Sequence, residues 1–558
     1  MNNNGQKVRD RRARLLAIAL YSRNYPAIGE THGLSVVAGS IVQRLGGAVE
    51  SLYVLDLVAV GVDDMEAIRA AIRRENPNVL MISVPYGTYS MLQDCKSTIQ
   101  STIDSGGLVL VGGALPTYLR ERILLNIDPR IIVVVGEGEV TAADIVERWT
   151  QYRDFINVPN TIQSDGTKIL TAPRQIASPN LIPVPYRAHI GSILKSGAQI
   201  FVESSRACSW AACSFCLRGL TDVQGRSWEY RRLPIRRLAA DIEQLARLGV
   251  SKFTFADEDF LGGPLEEVEY FTDELSALFR SVQRDFKFDI SATIRSISNQ
   301  HDDEKTAERR YRVLATLKEL GLNKVFLGIE SGSPSQLRRY HKGHTREEAV
   351  AASRAVLEAE TMLEVGFIMF DPLCEMSELA ENVEFLLLND LARYVSGPTS
   401  ELRLQVDSRY LTILKKAERR HKRKLHSEQL DYNTLSYQYE YLNSEVGLLV
   451  EHVRSLNETT HQFVYGVKGL TRFDGGALLG ECSPEVRSLL EVYRTDLLKA
   501  LRVAAVSDAS RYQELGWKLT TELAKSFVSL TGSLSDSDAN PMLKATIASA
   551  NQLLVLSD

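Results

Sequence analysis

The sequence predicts an α/β protein in three parts: an N-terminal doubly wound domain, a partial βα-barrel and a mostly helical C-terminal domain. Short β-branched runs alternate with helix-like segments over the first 150 residues, and a second alternating series begins near residue 196. Long helical segments fill the remainder. Such alternation is typical of parallel strands buried on both faces. We expect a first domain, a linker, a barrel and a helical domain at residues 1–158, 159–195, 196–390 and 391–558.

In the first domain, five apolar runs predict strands: RLLAIALY, VESLYVLDL, NVLMISVPYG, LVLVGGALP and RIIVVVGEGE. The segment DDMEAIRAAIRREN predicts a helix that begins at an aspartate cap. Ligands of doubly wound sheets bind beyond the carboxyl ends of the strands. The loops SVPYGT, VGGALPT and VGEGEVT are therefore the candidate binding loops.

The residues from about 160 to 195 no longer alternate between strand-like and helix-like segments. TIQSDGTKIL predicts a small hairpin with Asp165 and Gly166 at its turn. APRQIASPNLIPVPYR then carries four prolines and no helical periodicity, which suits an ordered linker between domains.

The second alternating series predicts strands at AQIFVESS, KFTFADE, KFDISATI, KVFLGIES and LEVGFIMF. Five or six βα units without a dinucleotide fingerprint indicate a partial or full βα-barrel. Chemistry in such barrels lies at the carboxyl ends of the strands. A loop with three cysteines directly follows the first of these strands.

Composition excludes several classes of function. The net charge is −5, which gives no global support for nucleic-acid binding. No apolar run approaches the roughly 18–20 residues that cross a bilayer, so we expect no membrane association. Six cysteines in 558 residues form no disulfide framework, and we expect a reducing, cytoplasmic location.

A dense basic run, KKAERRHKRK, occupies residues 415–424. Its neighbours are amphipathic, and the simplest interpretation is a solvated helix face. The alternative is a surface that binds phosphate or acidic groups.

Cys208, Cys213 and Cys216 share one short loop, and three interpretations of this loop stay open. Structural zinc usually takes four ligands, whereas the other three cysteines and the histidines lie elsewhere in the chain. A disulfide with a spare thiol does not suit a reducing compartment. An iron–sulfur cluster held by three thiolates leaves one iron open for a ligand. The pattern favours the cluster over zinc. The remaining alternative is that the three cysteines bind no ligand and simply pack in a turn.

This loop resembles the CxxxCxxC signature of the radical S-adenosylmethionine (SAM) superfamily, which follows the first barrel strand. Phe215 stands where an aromatic residue typically precedes the third cysteine. One extra residue separates Cys208 from Cys213, which departs from the signature. The resemblance implies that Cys208, Cys213 and Cys216 ligate a [4Fe–4S] cluster.

Further segments resemble the same family in the same order. The segment FTFADEDFLGG is similar to the family's second-strand motif, and VFLGIESGS is similar to its fourth-strand motif. The segment RRYHKGHTREEAV is similar to the KG segment, and EVGFIMFDP is similar to the fifth-strand motif. The resemblance implies that Glu258 and Asp259 hold the SAM amino group. It implies contacts from Glu330 and Ser331 to the SAM ribose and carboxylate, and a carboxylate pair with Arg295.

The first domain resembles the cobalamin-binding domains that precede some radical SAM barrels. The small residues of its loops let a corrin and its nucleotide tail approach the backbone. The implied cobalamin-binding residues are Ser83, Pro85, Tyr86, Gly87, Gly112, Gly113, Gly136, Glu137 and Gly138. The DxHxxG segment of free-standing cobalamin proteins is missing, so the resemblance implies cobalt without a histidine ligand. A degenerate domain that binds nothing is the alternative.

The resemblance implies an enzyme that uses a [4Fe–4S] cluster, SAM and cobalamin, with electrons from an external flavodoxin- or ferredoxin-type donor. The reduced cluster cleaves SAM to a 5′-deoxyadenosyl radical, and methylcobalamin supplies a methyl group. We expect methylation of a carbon in a small natural-product precursor. The alternatives are ring contraction, cyclisation or oxidation without net methyl transfer, and a non-catalytic corrinoid or iron–sulfur sensor. Methylthiotransfer is disfavoured because the first domain has only Cys95 and cannot hold a second three-cysteine cluster.

Overall fold

The computed structural model describes residues 12–24, 29–151, 156–217, 230–472, 479–534 and 541–557. An N-terminal sheet begins with five parallel strands in the order β2-β1-β3-β4-β5. These strands are β1 (Ala13–Ala19), β2 (Val49–Asp56), β3 (Val79–Ser83), β4 (Leu108–Gly112) and β5 (Ile132–Val134). The connecting helices are α1 (His32–Leu45), α2 (Leu57–Val60), α3 (Met65–Glu75), α4 (Tyr89–Asp94), α5 (Lys96–Asp104), α6 (Ala114–Asn126) and α7 (Glu139–Gln151).

Successive side chains in the strands of this sheet pack into two separate hydrophobic cores, one on each face. In β1, Leu16 and Ile18 enter the core on one face, and Leu15 and Ala17 enter the core on the other. Side chains of a strand alternate between faces, so helices on both sides bury the whole strand. The predicted doubly wound domain is confirmed, and Asp64 caps α3 by accepting a hydrogen bond from the backbone N–H of Glu66 at 2.8 Å.

The predicted hairpin is also present, as β6 (Thr161–Ser164) and β7 (Ile169–Thr171). Gly166 has a φ of +90° in its turn, a conformation that favours glycine. β6 pairs antiparallel with β5, so the hairpin extends the N-terminal sheet. Helix α8 (Ile190–Ser196) lies between the hairpin and the second sheet. The exact division of the chain into domains stays a prediction.

The second sheet is parallel, in the order β14-β13-β12-β11-β8. Its strands are β8 (Phe201–Val202), β11 (Lys252–Phe255), β12 (Lys287–Ala292), β13 (Leu322–Glu330) and β14 (Met362–Phe367). A short pair, β9 (Ser205–Arg206) and β10 (Arg231–Arg232), follows β8. The helices are α9 (Ile235–Arg247), α10 (Leu265–Val282), α11 (Ile294–Ile297), α12 (Glu304–Glu319), α13 (Pro334–Tyr340), α14 (Arg346–Glu358) and α15 (Met376–Leu388). This is the predicted partial βα-barrel.

The C-terminal part is mostly helical, as predicted. It comprises α16 (Arg409–His421), the hairpin β15 (His426–Asp431) and β16 (Ser436–Tyr439), α17 (Ser444–Arg472), α18 (Ser483–Val506), α19 (Ser510–Thr531) and α20 (Pro541–Ser557). Apolar residues of α17 to α20 join those of the barrel in one continuous core. Among the described helices, none is both long and apolar enough to cross a membrane.

The C-terminal hairpin also reaches the N-terminal domain. Asn433, in the turn between β15 and β16, accepts hydrogen bonds through its Oδ1 from the N–H groups of Tyr89 (2.9 Å) and Ser90 (3.4 Å). Its backbone carbonyl accepts the N–H of Gly87 at 2.7 Å. Arg122 stacks 3.7 Å from the ring centroid of Tyr432 beside them. The first and last parts of the chain therefore contact each other directly.

A buried arginine joins the two sheets. Arg187, in the segment before α8, donates to Glu30 of the N-terminal domain and to Asp241 of α9, and all three side chains are fully buried. The Arg187 guanidinium also donates to the carbonyl of Phe201 in β8 at 2.8 Å, and Glu30 accepts the N–H of Phe201 at 3.2 Å. The positive charge thus compensates two buried carboxylates, which would otherwise be costly.

Replacing Arg187 by methionine should destabilise the protein by about 3–5 kcal/mol, because two carboxylates would stay buried without their counter-ion. Urea unfolding followed by circular dichroism measures the loss. Arg44→Met is the matched control, since Arg44 is 37% exposed and pairs with Asp144 and Glu147 at the surface. That surface variant should lose about 1 kcal/mol or less. Equal losses in the two variants would contradict the role of Arg187.

Candidate functional site

The three cysteines lie on the loop of residues 207–217, here the cysteine loop, directly after β9. Backbone hydrogen bonds fix the middle of this loop from two sides. The N–H of Ser214 donates to the carbonyl of Tyr340 at 2.9 Å, and the carbonyl of Ser214 accepts the N–H of Tyr410 at 2.7 Å. The loop is therefore held between the ends of α13 and α16.

The loop also has an unusual backbone. Ala207 and Ala211, on either side of Cys208, adopt φ values of +67° and +46°. A left-handed conformation costs an alanine on the order of 1–2 kcal/mol. Such strain persists only where surrounding contacts fix the backbone, and it concentrates at functional sites.

Trp210 supplies one of these contacts. Its indole N–H donates to the carbonyl of His341 at 2.7 Å. Its ring packs so closely on Gly343 that a Cβ there would lie 2.1 Å from a ring carbon. Gly343 also has a φ of +71°. Close packing and backbone conformation together explain the glycine of the HKGH segment.

All three cysteines line one cavity of about 560 Å³, here the cysteine cavity, at the carboxyl end of the barrel sheet. Three of the predicted SAM-binding residues line it too, Glu258, Arg295 and Glu330, together with the motif aromatic residue Phe215. The structure adds lining residues that sequence analysis missed, including Trp210, Lys342 and His344. Lys342 and His344 lie in the HKGH segment, which was the one signal that could have identified them.

The cysteine thiols fit an iron–sulfur cluster. Each of the three is partly buried and free. Burial raises the pKa of Cys208 to about 11 and raises that of Cys213, so ligand binding must displace protons. In the described part of the chain, no three His, Cys, Asp or Glu side chains converge as ligands of a single ion. Three thiols around one cavity suit a cubane, whose ligands bind different iron atoms.

Lys342 places a buried cation beside these thiols. Its ammonium lies 3.7 Å from the Glu330 carboxylate and 5.9 Å from the centre of the Phe215 ring. Burial lowers the pKa of Lys342, but Cys213 and Glu330 outweigh it and the net shift is upward. Lys342 therefore stays charged beside the three cysteines.

Residues from several strand ends shape the rest of the cysteine cavity. Glu330 sits at a register shift of β13 with a φ of +69°, and Arg295 lies 5.1 Å from the centre of the Trp210 ring. The buried Nε2 of His344 has no hydrogen-bond partner among the described residues. Burial and the nearby Lys342 charge lower the pKa of His344 to about 3, so its imidazole is neutral.

Two predicted SAM-binding residues do not line this cavity. Asp259 is fully buried and accepts hydrogen bonds from Ser209 of the cysteine loop and from the N–H of Thr293 at 3.2 Å. Ser331 is also fully buried and donates to Asn382 at 2.8 Å. Asp259 thus ties the cysteine loop to the end of β12, and Ser331 holds the turn after β13.

A second cavity, of about 250 Å³, lies at the ends of β3, β4 and β5 beside α1; it is here the N-terminal cavity. It brings together most of the predicted cobalamin-binding residues: Ser83, Gly112, Gly113, Gly136, Glu137 and Gly138. Gly113 has a φ of +107°, and a Cβ there would lie 3.3 Å from the Ser83 hydroxyl. The absence of side chains leaves room for a ligand close to the backbone.

The other predicted cobalamin-binding residues, Pro85, Tyr86 and Gly87, lie outside the lining of this cavity. The N–H of Gly87 donates instead to Asn433, and the carbonyl of Pro85 accepts the hydroxyl of Thr88 at 2.8 Å. Their loop therefore contacts the C-terminal hairpin.

An ionic network connects the two cavities. Glu137, at the tip of the loop after β5, pairs with Arg231 and lies 3.3 Å from Arg206. Arg206 also pairs with Glu139 of α7 and, at 2.7 Å, with Glu203. Burial raises the pKa of Glu137, but the two arginines outweigh burial and the net shift is downward, so this carboxylate stays ionised. The network fixes the loop after β5 against the segment that leads to Cys208.

Each domain also contributes to the cavity of the other. Glu30 and His32 of the N-terminal domain line the cysteine cavity, and Arg206 of the barrel lines the N-terminal cavity. No histidine is among the described residues that line the N-terminal cavity. His32, which directly precedes the lining residue Gly33, has its Nε2 3.9 Å from Glu203. Sequence analysis missed His32 because no DxHxxG segment surrounds it.

Comparison with protein families identifies both domains. The radical SAM superfamily matches residues 202–381, which include the barrel strands and the cysteine loop. The B12 binding domain family matches residues 20–146.

Similar curated proteins match over about half of this chain. The 4′-phospho-dehydrooxetanocin synthase of Priestia megaterium is 27% identical over 327 residues, which are 56% of this chain and 43% of that protein. A putative methylthiotransferase of Methanocaldococcus jannaschii is 24% identical over 307 residues, or 51% of this chain and 60% of that protein. The chain thus spans less than two thirds of the length of either relative.

Solved structures extend the similarity of fold to the C-terminal part. The cobalamin-dependent S-adenosylmethionine radical enzyme OxsB, with aqua-cobalamin bound, superposes with a TM-score of 0.76 and 18% identity over 97% of this chain and 84% of that one. The radical SAM methyltransferase TsrM from Kitasatospora setae, with tryptophan and a SAM analogue, gives a TM-score of 0.56 and 16% identity over 73% and 77% of the two chains. The chain therefore carries a B12 binding domain followed by a radical SAM domain, in the fold of cobalamin-dependent radical SAM enzymes, and these domains imply a [4Fe–4S] cluster, SAM and cobalamin as cofactors.

Proposed function

We propose that this enzyme transfers a methyl group to a carbon of a small natural-product precursor. The observation that supports the proposal most is that each domain lines part of the other's cavity: Glu30 and His32 line the cysteine cavity, and Arg206 lines the N-terminal cavity. In this arrangement, a corrin bound in the N-terminal cavity faces SAM bound in the cysteine cavity, and the substrate lies between the two cofactors. Cobalamin beside a radical source is most simply a methyl carrier.

The cofactors supply the radical and methyl-transfer chemistry, and the protein supplies position and electrostatics. We assign Cys208, Cys213 and Cys216 as the cluster ligands. Lys342 offsets their charge, and Glu330 and Arg295 orient SAM through its polar groups. The neutral His344 offers its unpartnered ring nitrogen, Nε2, to the same ligand.

The cleft between the N-terminal domain and α17 suits substrate entry. It has a volume of about 1240 Å³ and is lined by Tyr21 and Arg23 after β1, Gly61 after β2, and residues of α17 and α20. Carboxyl ends of parallel strands share one edge of a sheet, so this cleft opens on the same edge as the N-terminal cavity. We propose that it admits the small-molecule substrate.

The charge and the cysteines of the chain bear on its electron donor, its macromolecular partners and its cellular location. A flavodoxin- or ferredoxin-type protein is the proposed electron source, and we propose no nucleic-acid or membrane partner. A reducing, cytoplasmic location suits a chain whose six cysteines are all free.

The second candidate is rearrangement, such as ring contraction, cyclisation or oxidation, without net methyl transfer. The Priestia megaterium relative, which is named 4′-phospho-dehydrooxetanocin synthase and not a methyltransferase, favours it. Methylthiotransfer has less support: Cys95, Cys374 and Cys482 lie on separate elements and cannot hold a second cluster in the manner of the cysteine loop. A non-catalytic sensor would retain its cofactors and never cleave SAM.

Replacing Cys213 by alanine should abolish binding of the cluster, because only three thiolates hold it. Anaerobic reconstitution followed by iron analysis and visible absorption measures the loss. Cys482→Ala is the control, since Cys482 lies at the start of α18 and should leave the iron content unchanged. A full cluster in Cys213→Ala would overturn the ligand assignment.

Replacing Gly113 by alanine should weaken cobalamin binding about tenfold or more, since the added Cβ is strained and crowds the Ser83 hydroxyl and the Val84 backbone at the N-terminal cavity. Equilibrium dialysis with hydroxocobalamin measures the affinity. Gly106→Ala is matched in strain, because Gly106 has a φ of +82° in the same domain, but a Cβ added there would have no neighbouring atom within 4 Å. Equal affinities in the two variants would contradict the assigned cavity.

With methyl-deuterated SAM, the product should gain the labelled methyl group, and 5′-deoxyadenosine and S-adenosylhomocysteine should form in equal amounts. Mass spectrometry of anaerobic reactions with candidate precursors tests this. A product of unchanged carbon count would reject methyl transfer and support rearrangement or oxidation. Labelled product without deoxyadenosine would keep methylation and remove the radical step. Cofactor-loaded protein that never cleaves SAM would support the sensor.

A further inference from the structure

We propose that the exposed basic face of α16 is the docking surface for an acidic one-electron carrier protein that reduces the cluster. This inference rests on the proposed function only in assuming that the cysteine loop holds a cluster. It concerns the basic run at residues 415–424, which the cofactor sites leave unexplained.

Helix α16 begins on the cysteine loop. The N–H of Tyr410 donates to Ser214, between Cys213 and Cys216, at 2.7 Å. The exposed Arg409 donates to the carbonyl of Ala212, the residue before Cys213, at 3.4 Å. The first turn of α16 is therefore part of the outer wall of the cluster site.

The buried side of the helix fixes its orientation. Tyr410, Leu411 and Leu414 pack in a small core that Phe215 of the cysteine loop also contacts. Glu418 turns inward and accepts hydrogen bonds from His426 and the N–H of Leu425. The one acidic residue of the basic run is thus removed from the exposed face.

That exposed face carries a row of cations, with a gap of about two helical turns after Arg409. Arg409, Lys416 and Arg420 recur at helical spacing, with Lys415 and Arg419 alongside, and all five are exposed. At a rise of about 1.5 Å per residue, the row runs about 16 Å from the cysteine loop. Among the described residues, none forms an ion pair with Lys415, Lys416, Arg419 or Arg420.

The charge is local, because the whole chain has a net charge of −5. An unpaired basic row on an acidic protein does not serve solubility in general, and it attracts acidic partners to one place. Complementary charge chiefly raises the rate of encounter and fixes orientation. Its position orients an acidic carrier with its redox centre towards the cysteine loop.

The step delivered at this surface is a single electron transfer. One electron leaves the reduced carrier and enters the [4Fe–4S]²⁺ cluster, which becomes [4Fe–4S]⁺, and the carrier is left oxidised by one electron. No bond forms or breaks.

The test uses reconstituted full-length protein and the triple variant Lys416→Glu, Arg419→Glu, Arg420→Glu. Reduction of the cluster by reduced flavodoxin is followed by stopped-flow absorption and electron paramagnetic resonance at low salt. We expect the second-order rate constant to fall about tenfold or more and to lose its salt dependence. Flavodoxin affinity, measured by calorimetry, should fall as well.

Two controls separate docking from loss of the site. Reduced methyl viologen, a small cation that needs no docking surface, should reduce both proteins at similar rates. The matched variant Arg502→Glu, Lys518→Glu, Lys525→Glu makes the same change of charge on exposed residues of α18 and α19 and should react with flavodoxin as the unaltered protein does. The neutral variant Lys416→Gln, Arg419→Gln, Arg420→Gln should lie between the two.

Unchanged flavodoxin rates in the charge-reversed variant, with methyl viologen still effective, would overturn the docking surface. Equal slowing in the α18–α19 variant would also overturn it, since total charge would then explain the effect. A short duplex DNA that binds the basic face more tightly than flavodoxin at physiological salt would assign the face to nucleic acid instead. A cluster that never forms would overturn the proposed function and the docking surface together, whereas the first two outcomes, obtained with an intact cluster, overturn the docking surface alone.

Discussion

The whole arrangement depends on one buried guanidinium, that of Arg187, between two carboxylates from different domains. Glu30 precedes α1 of the N-terminal sheet, and Asp241 belongs to the first long helix of the barrel. Because a buried charge is tolerated only in good geometry, the three segments have one workable relative position. That position also sets the backbone of β8 through Phe201. The carboxyl ends of the two sheets consequently meet, and both cavities open where the ends meet.

The parts of this arrangement that follow a local pattern were predictable from sequence. Runs of β-branched residues predicted the strands of both sheets, and the glycines of VGGALPT and VGEGEVT predicted the N-terminal cavity. The cysteine loop was identified by spacing and by its place after a barrel strand. In each case the residues that matter are neighbours in the chain, so their spacing carries the signal.

Other features depend on contacts between distant segments, which spacing does not report. Asp259 and Glu258 are adjacent acids at a strand end, yet only Glu258 lines the cysteine cavity, because Asp259 turns to Ser209 and Thr293. Lys342 enters that cavity from a segment more than a hundred residues beyond the cysteines. The network of Arg206 with Glu137 and Glu139 likewise joins separate domains. Tertiary packing, rather than local spacing, determines where these side chains lie.

The turn at Asn433 has a consequence for biosynthesis. Domains of a long chain generally fold in order of synthesis, N-terminal first. Here the loop that contains Gly87 and the start of α4 obtains three of its hydrogen bonds from Asn433. The nascent N-terminal domain can therefore form its sheet early, but this edge stays incomplete until residue 433 has left the ribosome and the barrel lies between. Translation order thus delays the mature N-terminal domain until the barrel beside it exists, and the edge formed by the Gly87 loop and α4 is among the last parts of the chain to fold.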